Sequence, residues 1–197
     1  MTILLVGKSQ IKLLLLLIML PSYLQAQSMI IDFSNPQSYS TWRISNDTVM
    51  GGVSKSHYET LSSMGRFQGN VSLDNNGGFA SIEFIPLRAA TATIPALCQL
   101  QLTVKGDGKR YQLRLKTADN LYGEAYIAEF TTQAQQITEH RFNASDFQLG
   151  FRGRRIVTEQ PINFAEINAV GILIAAKQQG PFAIELLSLS YHCDGNA

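Results

Sequence analysis

Beyond residue 30 the apolar residues of this 197-residue chain recur every second position, and no long amphipathic helix can be drawn through them. Leu100, Leu102 and Val104 share one face of a segment whose other face carries Gln99, Gln101 and Thr103. Tyr111, Leu113 and Leu115 alternate in the same way with Gln112, Arg114 and Lys116. Between the two runs lies Lys105-Gly106-Asp107-Gly108-Lys109, whose Asp-Gly step predicts a tight hairpin. On that reading one face of the hairpin is apolar. The other carries Gln101, Thr103, Gln112, Arg114 and Lys116.

The same alternation predicts strands over Met29–Phe33, Arg66–Leu73, Phe79–Ile85, Leu97–Val104, Tyr122–Phe130, Gln136–Phe142, Ala169–Ala176 and Phe182–Tyr191. Asn75-Asn76-Gly77-Gly78 is a strong turn signal. Helical turns are expected only at Ala144–Phe147 and at Ile162–Ile167, after Pro161. Gln148–Pro161 is the longest stretch without a pattern, and such loops are commonly functional. Many short antiparallel strands around one core make an all-β sandwich of the jelly-roll kind.

The N-terminus has the order of a secretory signal peptide: Lys8 and Lys12, the apolar run Leu13–Leu20, then small and polar residues to Ala26. The reading is cleavage after Ala26, leaving residues 27–197 as one domain, periplasmic or secreted. The alternative is retention as a membrane anchor, but a span needs roughly 20 apolar residues. Removing Lys8 and Lys12 from 16 basic residues leaves 14 against 15 acidic, a net charge of −1. A near-neutral chain lacks the concentrated basic face that nucleic acid requires. Cys98 and Cys193, an even pair in an exported chain, invite a disulfide worth about 4 kcal/mol in the chain-entropy picture. Two separate buried thiols are the other reading.

No catalytic set emerges. His57, His140 and His192 have no metal-ligand spacing, and neither a nucleophile elbow nor a phosphate loop is present. The expectation is a non-enzymatic protein without metal or cofactor. Three stretches are candidates for binding. In Asn46-Asp47-Thr48-Val49-Met50-Gly51-Gly52-Val53-Ser54, the Asn-Asp pair suits a turn and Val49 and Met50 would plug the core. The glycines there supply positive φ or close backbone approach, and their amides could cradle an anion. Trp42, the only tryptophan, precedes this corner as a rim anchor or a stacking platform. Arg152 and Arg154, around Gly153, suit forked hydrogen bonds to a carboxylate or phosphate. Gln178 lies in the turn Lys177–Phe182. A sugar-binding alternative would use an aromatic-lined groove with Tyr122 or Tyr126 beside Gln112 and Arg114.

Together these stretches resemble the complex I intermediate-associated protein 30 family. The resemblance runs through Trp42, then Asn46, Asp47, Val49, Met50, Gly51, Gly52 and Ser54, then Phe67 and Gly69, then Asn76-Gly77-Gly78-Phe79. It continues through Gly106, Asp107, Gly108 and Tyr111 to Arg152-Gly153-Arg154 and Lys177-Gln178-x-Gly180-Pro181-Phe182. It implies a galactose-binding-like jelly-roll β-sandwich. It also implies a chaperone-like assembly factor for respiratory NADH:ubiquinone oxidoreductase, with a protein partner such as membrane or respiratory-complex subunits. Carbohydrate-binding modules share that fold, so a glycan is the alternative ligand. An export signal departs from the mitochondrial members, and would leave only outward-facing parts of a membrane complex within reach.

Overall fold

The computed structural model describes residues 28–87, 98–120, 123–158 and 160–193. The proposed signal peptide, Leu97 and Tyr122 lie outside them. Strands follow in chain order as β1 (Ser28–Asp32), β2 (Tyr39–Asn46), β3 (Lys55–Leu61), β4 (Met64–Val71), β5 (Ala80–Pro86), β6 (Gln99–Lys105) and β7 (Arg110–Thr117). They continue as β8 (Ala125–Thr131), β9 (Ile137–Phe142), β10 (Gln148–Phe151), β11 (Arg154–Arg155), β12 (Ile167–Ile174) and β13 (Gly180–His192). The only helical elements among the described residues are single 3-10 turns, two of them at the expected Ala144–Asp146 and Phe164–Glu166.

The strands make two antiparallel sheets packed as a jelly-roll sandwich. One sheet runs β3-β4-β13-β6-β9, with β1 joining β13 where β4 stops. The other runs β11-β10-β8-β7-β12-β5-β2. Their facing sides share one core, to which Phe33, Phe67, Phe84 and Ile172 contribute fully buried side chains.

The expected hairpin between β6 and β7 is not formed. β6 pairs with β13 and β9, whereas β7 lies in the other sheet between β12 and β8. Leu100, Leu102 and Val104 therefore belong to the opposite wall of the core from Tyr111, Leu113 and Leu115. The polar residues are divided as well: Gln101 and Thr103 lie on one sheet, Gln112, Arg114 and Lys116 on the other. Asp107 explains the crossing. Its carboxylate accepts from the Lys109 amide (3.0 Å), the Tyr111 hydroxyl (3.0 Å) and the Ala183 amide of β13 (2.9 Å), so it ties one sheet to the other.

Gln148–Pro161 is also more regular than its sequence suggests. β10 and β11 form a small hairpin there, turning through Arg152 (φ 48°) and Gly153 (φ 77°). The strands β2 and β3 carry too many exposed polar residues to be recognised by alternation alone; both are edge strands. Cys98 and Cys193 follow the β6–β13 register by one step beyond Gln99 and His192 and are joined in a disulfide, with Cα atoms 4.2 Å apart.

Candidate functional site

β2 ends at Asn46, and a 3-10 turn over Asp47–Met50 swings the chain from the seven-stranded sheet toward β3. The first residue of that turn points inward. Asp47 is 1% exposed. Its Oδ1 accepts from the Ser54 amide at 2.9 Å, and its Oδ2 from the Ser54 hydroxyl, the Gly78 amide (2.6 Å) and the Phe79 amide (3.3 Å). Ser54 Oγ in turn accepts from the Ser72 amide at 2.9 Å. Burial pushes the Asp47 carboxyl up, but the bonds from Ser54, Gly78 and Phe79 outweigh it and hold the group below its ordinary value. An anion does sit in an amide cradle here, and it is the protein's own carboxylate.

Both glycines of the motif shape the turn that carries that carboxylate, and Gly52 also leaves room for it. Gly51 takes a left-handed φ of 88°, and its amide bonds back to the Thr48 carbonyl at 3.2 Å. The Gly52 amide bonds to the Asp47 carbonyl at 3.0 Å. Neither amide is left for an external anion. A second reading is corrected alongside. Val49 and Met50 do not plug the core; they stand 72% and 75% exposed, because the turn that buries Asp47 carries the next residues outward. Val53 is also exposed, and Trp42 on the β2 edge is 41% exposed, its ring edge-on to Tyr58 at 5.2 Å. Asn46 Oδ1 accepts from the Ser56 hydroxyl at 2.7 Å, fastening the end of β2 to β3.

The candidate residues do not converge. Arg152 and Arg154 lie in the β10–β11 hairpin, at the opposite lateral edge of the seven-stranded sheet from Trp42. Arg152 stacks over Phe151 at 5.0 Å. Gln178 is consumed by structure: its side chain accepts from the Arg110 amide (3.0 Å) and donates to the Arg110 (2.7 Å) and Ala175 (3.0 Å) carbonyls.

A groove crosses the outer face of the seven-stranded sheet near the β11 edge, beside Gln112 and Arg114 as the sugar-binding alternative expects, but with no aromatic lining among the described residues. Its volume is about 400 Å³, and Gln112, Arg114, Ile127, Gln148, Arg154 and Arg155 are among its lining residues. Strand register builds its floor: Arg114, Ile127 and Gln148 occupy the successive strands β7, β8 and β10 in one row. The signal was present in the alternation of β7, but pairing β7 with β6 obscured which residues shared its face. Tyr126 is not part of this face. It lies opposite Leu115 and packs against the core, as parity along β8 demands.

Catalytic pairing is equally unforthcoming at the corner, where the Asp47 carboxylate meets only Ser54, Gly78 and Phe79. His57 meets Gln68 at 2.8 Å and His140 meets Thr138 at 2.9 Å, each on its own sheet face. No group of three or more His, Cys, Asp or Glu among the described residues is placed to hold a metal.

Residues 31–186 match the family described as complex I intermediate-associated protein 30. No curated protein matches the chain. Among solved structures, it resembles a family 11 carbohydrate-binding module from Clostridium thermocellum in complex with a β-1,3-1,4-mixed-linked tetrasaccharide. The TM-score is 0.61 at 12% identity, over 87% of this chain and 98% of that one. The family 11 module of the cellulosomal cellulase Lic26A-Cel5E, also from Clostridium thermocellum, gives 0.59 at 12% identity over the same shares. An agarase, AgWH50C, gives 0.58 at 8% identity, over 88% of this chain and 25% of that one. Likeness at such identities establishes the fold alone.

Proposed function

Because the chain belongs to the complex I intermediate-associated protein 30 family, we propose that it is a non-enzymatic binding protein that holds a protein partner along β2 and the Asp47–Ser54 corner. The role is that of a chaperone-like assembly factor for respiratory complex I or another envelope complex. One observation carries the reading. The buried Asp47 carboxylate fixes a turn that keeps Val49 and Met50 in solvent. Apolar side chains held there contribute little to the fold, and covering each would gain about 1.5–3 kcal/mol. β2 beside them is an edge strand with backbone groups open to an added strand. With the N-terminus read as an export signal, this surface would work in the periplasm or outside the cell, against outward-facing parts of membrane subunits. The test is a crosslinking pull-down from the native host, comparing wild type with a Val49→Asp/Met50→Asp variant. Subunits of a membrane complex captured by wild type and lost with the variant are expected. Equal capture by both would remove the corner from the interface.

A second reading is a carbohydrate-binding module, and the groove on the seven-stranded sheet favours it. The sandwich shares its fold with family 11 carbohydrate-binding modules. A glycan array separates the two readings: saccharide hits that survive the corner variant support the groove, and none at all would discard it.

A further inference from the structure

The groove is unusual in its charge. Three arginines line it from two elements, Arg114 from β7 and Arg154 and Arg155 from the β10–β11 hairpin, and Arg155, paired with Gly150, has its side chain on the groove face. None of the three is in a salt bridge with a carboxylate of the described residues. Arg114 is half-buried, and its hydrogen bond is a long one, 3.4 Å to Gln112 Oε1. Burial pulls its pKa down, and the nearby Glu83 only partly offsets this. Glu83 itself is committed to Arg43 at 2.7 Å and Lys116 at 2.5 Å.

Two carboxylates do border the groove, and both have other engagements. Glu129 meets Arg110 at 3.6 Å and accepts from Gln112 at 3.2 Å. Asp146 accepts from the Asn143 amide at 2.7 Å, closing the 3-10 turn before β10. The floor is low. Gly150 has no side chain to raise it, and a Cβ there would come 3.1 Å from Ile127 Cδ1. No aromatic residue lines this groove among the described residues. A neutral sugar held by ring stacking finds no platform among these described residues.

We infer that the groove takes an acidic saccharide, one bearing carboxylate or sulfate groups, with Arg114 and Arg155 as its anion-binding residues and Arg154 adding positive charge at its rim. This rests on the carbohydrate-binding reading above and narrows it to one ligand chemistry. Forked guanidinium groups suit planar carboxylates and sulfate oxygens, and charge-assisted bonds of this kind are the strong ones. Gln112 and Gln148 supply the donors and acceptors that sugar hydroxyls need. The groove runs across four strands, β7, β8, β10 and β11, at about 4.8 Å spacing, which suits a short run of sugar units better than one small ion.

The experiment is calorimetric titration of the full chain with four probes: an oligogalacturonate, a sulfated galactan oligomer, a neutral mixed-linked glucan and polyglutamate. An Arg154→Ala/Arg155→Ala variant runs alongside; both residues are exposed, so its melting should match wild type. Binding of at least one acidic saccharide is expected, weakening with salt and falling roughly tenfold or more in the variant. The carboxylated and sulfated arms identify which group is read. Neutral glucan binding without acidic binding would overturn this inference and leave the carbohydrate reading standing. No saccharide binding at all would overturn both. Equal binding of polyglutamate, or acidic binding unchanged in the variant, would also overturn it.

Discussion

The carboxylate of Asp47 occupies the space that a side chain on Gly52 would need: a Cβ at Gly52 would lie 2.4 Å from Asp47 Cγ. The carboxylate cannot retreat without breaking its bonds to Ser54, Gly78 and Phe79. Gly52→Ala should therefore destabilise the fold by about 1–3 kcal/mol, as overpacked substitutions do. Gly51→Ala meets nothing within 4 Å and only opposes a φ of 88°, so about 1 kcal/mol is expected. Urea denaturation of the two variants measures the order. A Gly51 variant weaker than the Gly52 variant would mean that the turn, not the carboxylate, governs the corner.

Acid should expose the same carboxylate. Its folded pKa is depressed, so its contribution is present above the ordinary carboxylate range and is lost as pH falls through the folded value. Glu185 behaves alike: burial raises it, but Arg66 and Lys105 together bring it below normal. Asp47→Asn should be less stable near neutral pH and should lose less stability on acidification than wild type. Melting curves collected from neutral pH downward test this. Parallel curves would show that Asp47 does not contribute to the acid limb.

The disulfide closes a long stretch, with a sequence separation of 95 between Cys98 and Cys193. In the chain-entropy picture its loss destabilises by about 4–5 kcal/mol. A Cys98→Ser/Cys193→Ser variant should melt well below the oxidised protein, and a reductant should lower wild type but not the variant. Equal melting of all forms would show that the β6–β13 ladder holds this end unaided.

The sandwich was legible because burial is one-sided. β7 shows it plainly: Tyr111, Leu113 and Leu115 are buried while Gln112 and Arg114 are not. What alternation cannot convey is which strand lies beside which. β6 and β7 alternate equally well whether they pair or face each other across a core, and the choice fell to Asp107 and its bond to distant Ala183. The corner was legible as a turn, since Asn, Asp and paired glycines have local reasons to be there. Its inside and outside were not. Asp47 is buried against amides of Gly78 and Phe79, more than thirty positions away, and Val49 and Met50 are exposed as the consequence. Hydrophobicity alone assigns those residues the other way round. The arginine groove was harder still, because its lining is assembled from four strands, β7, β8, β10 and β11.

Trp42 reports on the β2 edge that leads into the corner. It is the chain's single tryptophan, 41% exposed on the β2 edge and edge-on to buried Tyr58. Its fluorescence should therefore be quenched by acrylamide to a degree between those of free and buried indole. A partner lying along β2 and the corner should shift its emission to shorter wavelength and shield it from quencher. Val49→Asp/Met50→Asp should leave the emission of the free protein unchanged, since neither side chain supports the fold, and stability should move by no more than about 0.5 kcal/mol. The same variant should abolish the shift on adding the partner. A saccharide bound in the arginine groove, at the far edge of the sheet, should leave Trp42 unaffected. An emission shift produced by saccharide and not by protein would reverse the assignment, placing the sugar at the corner and the partner elsewhere.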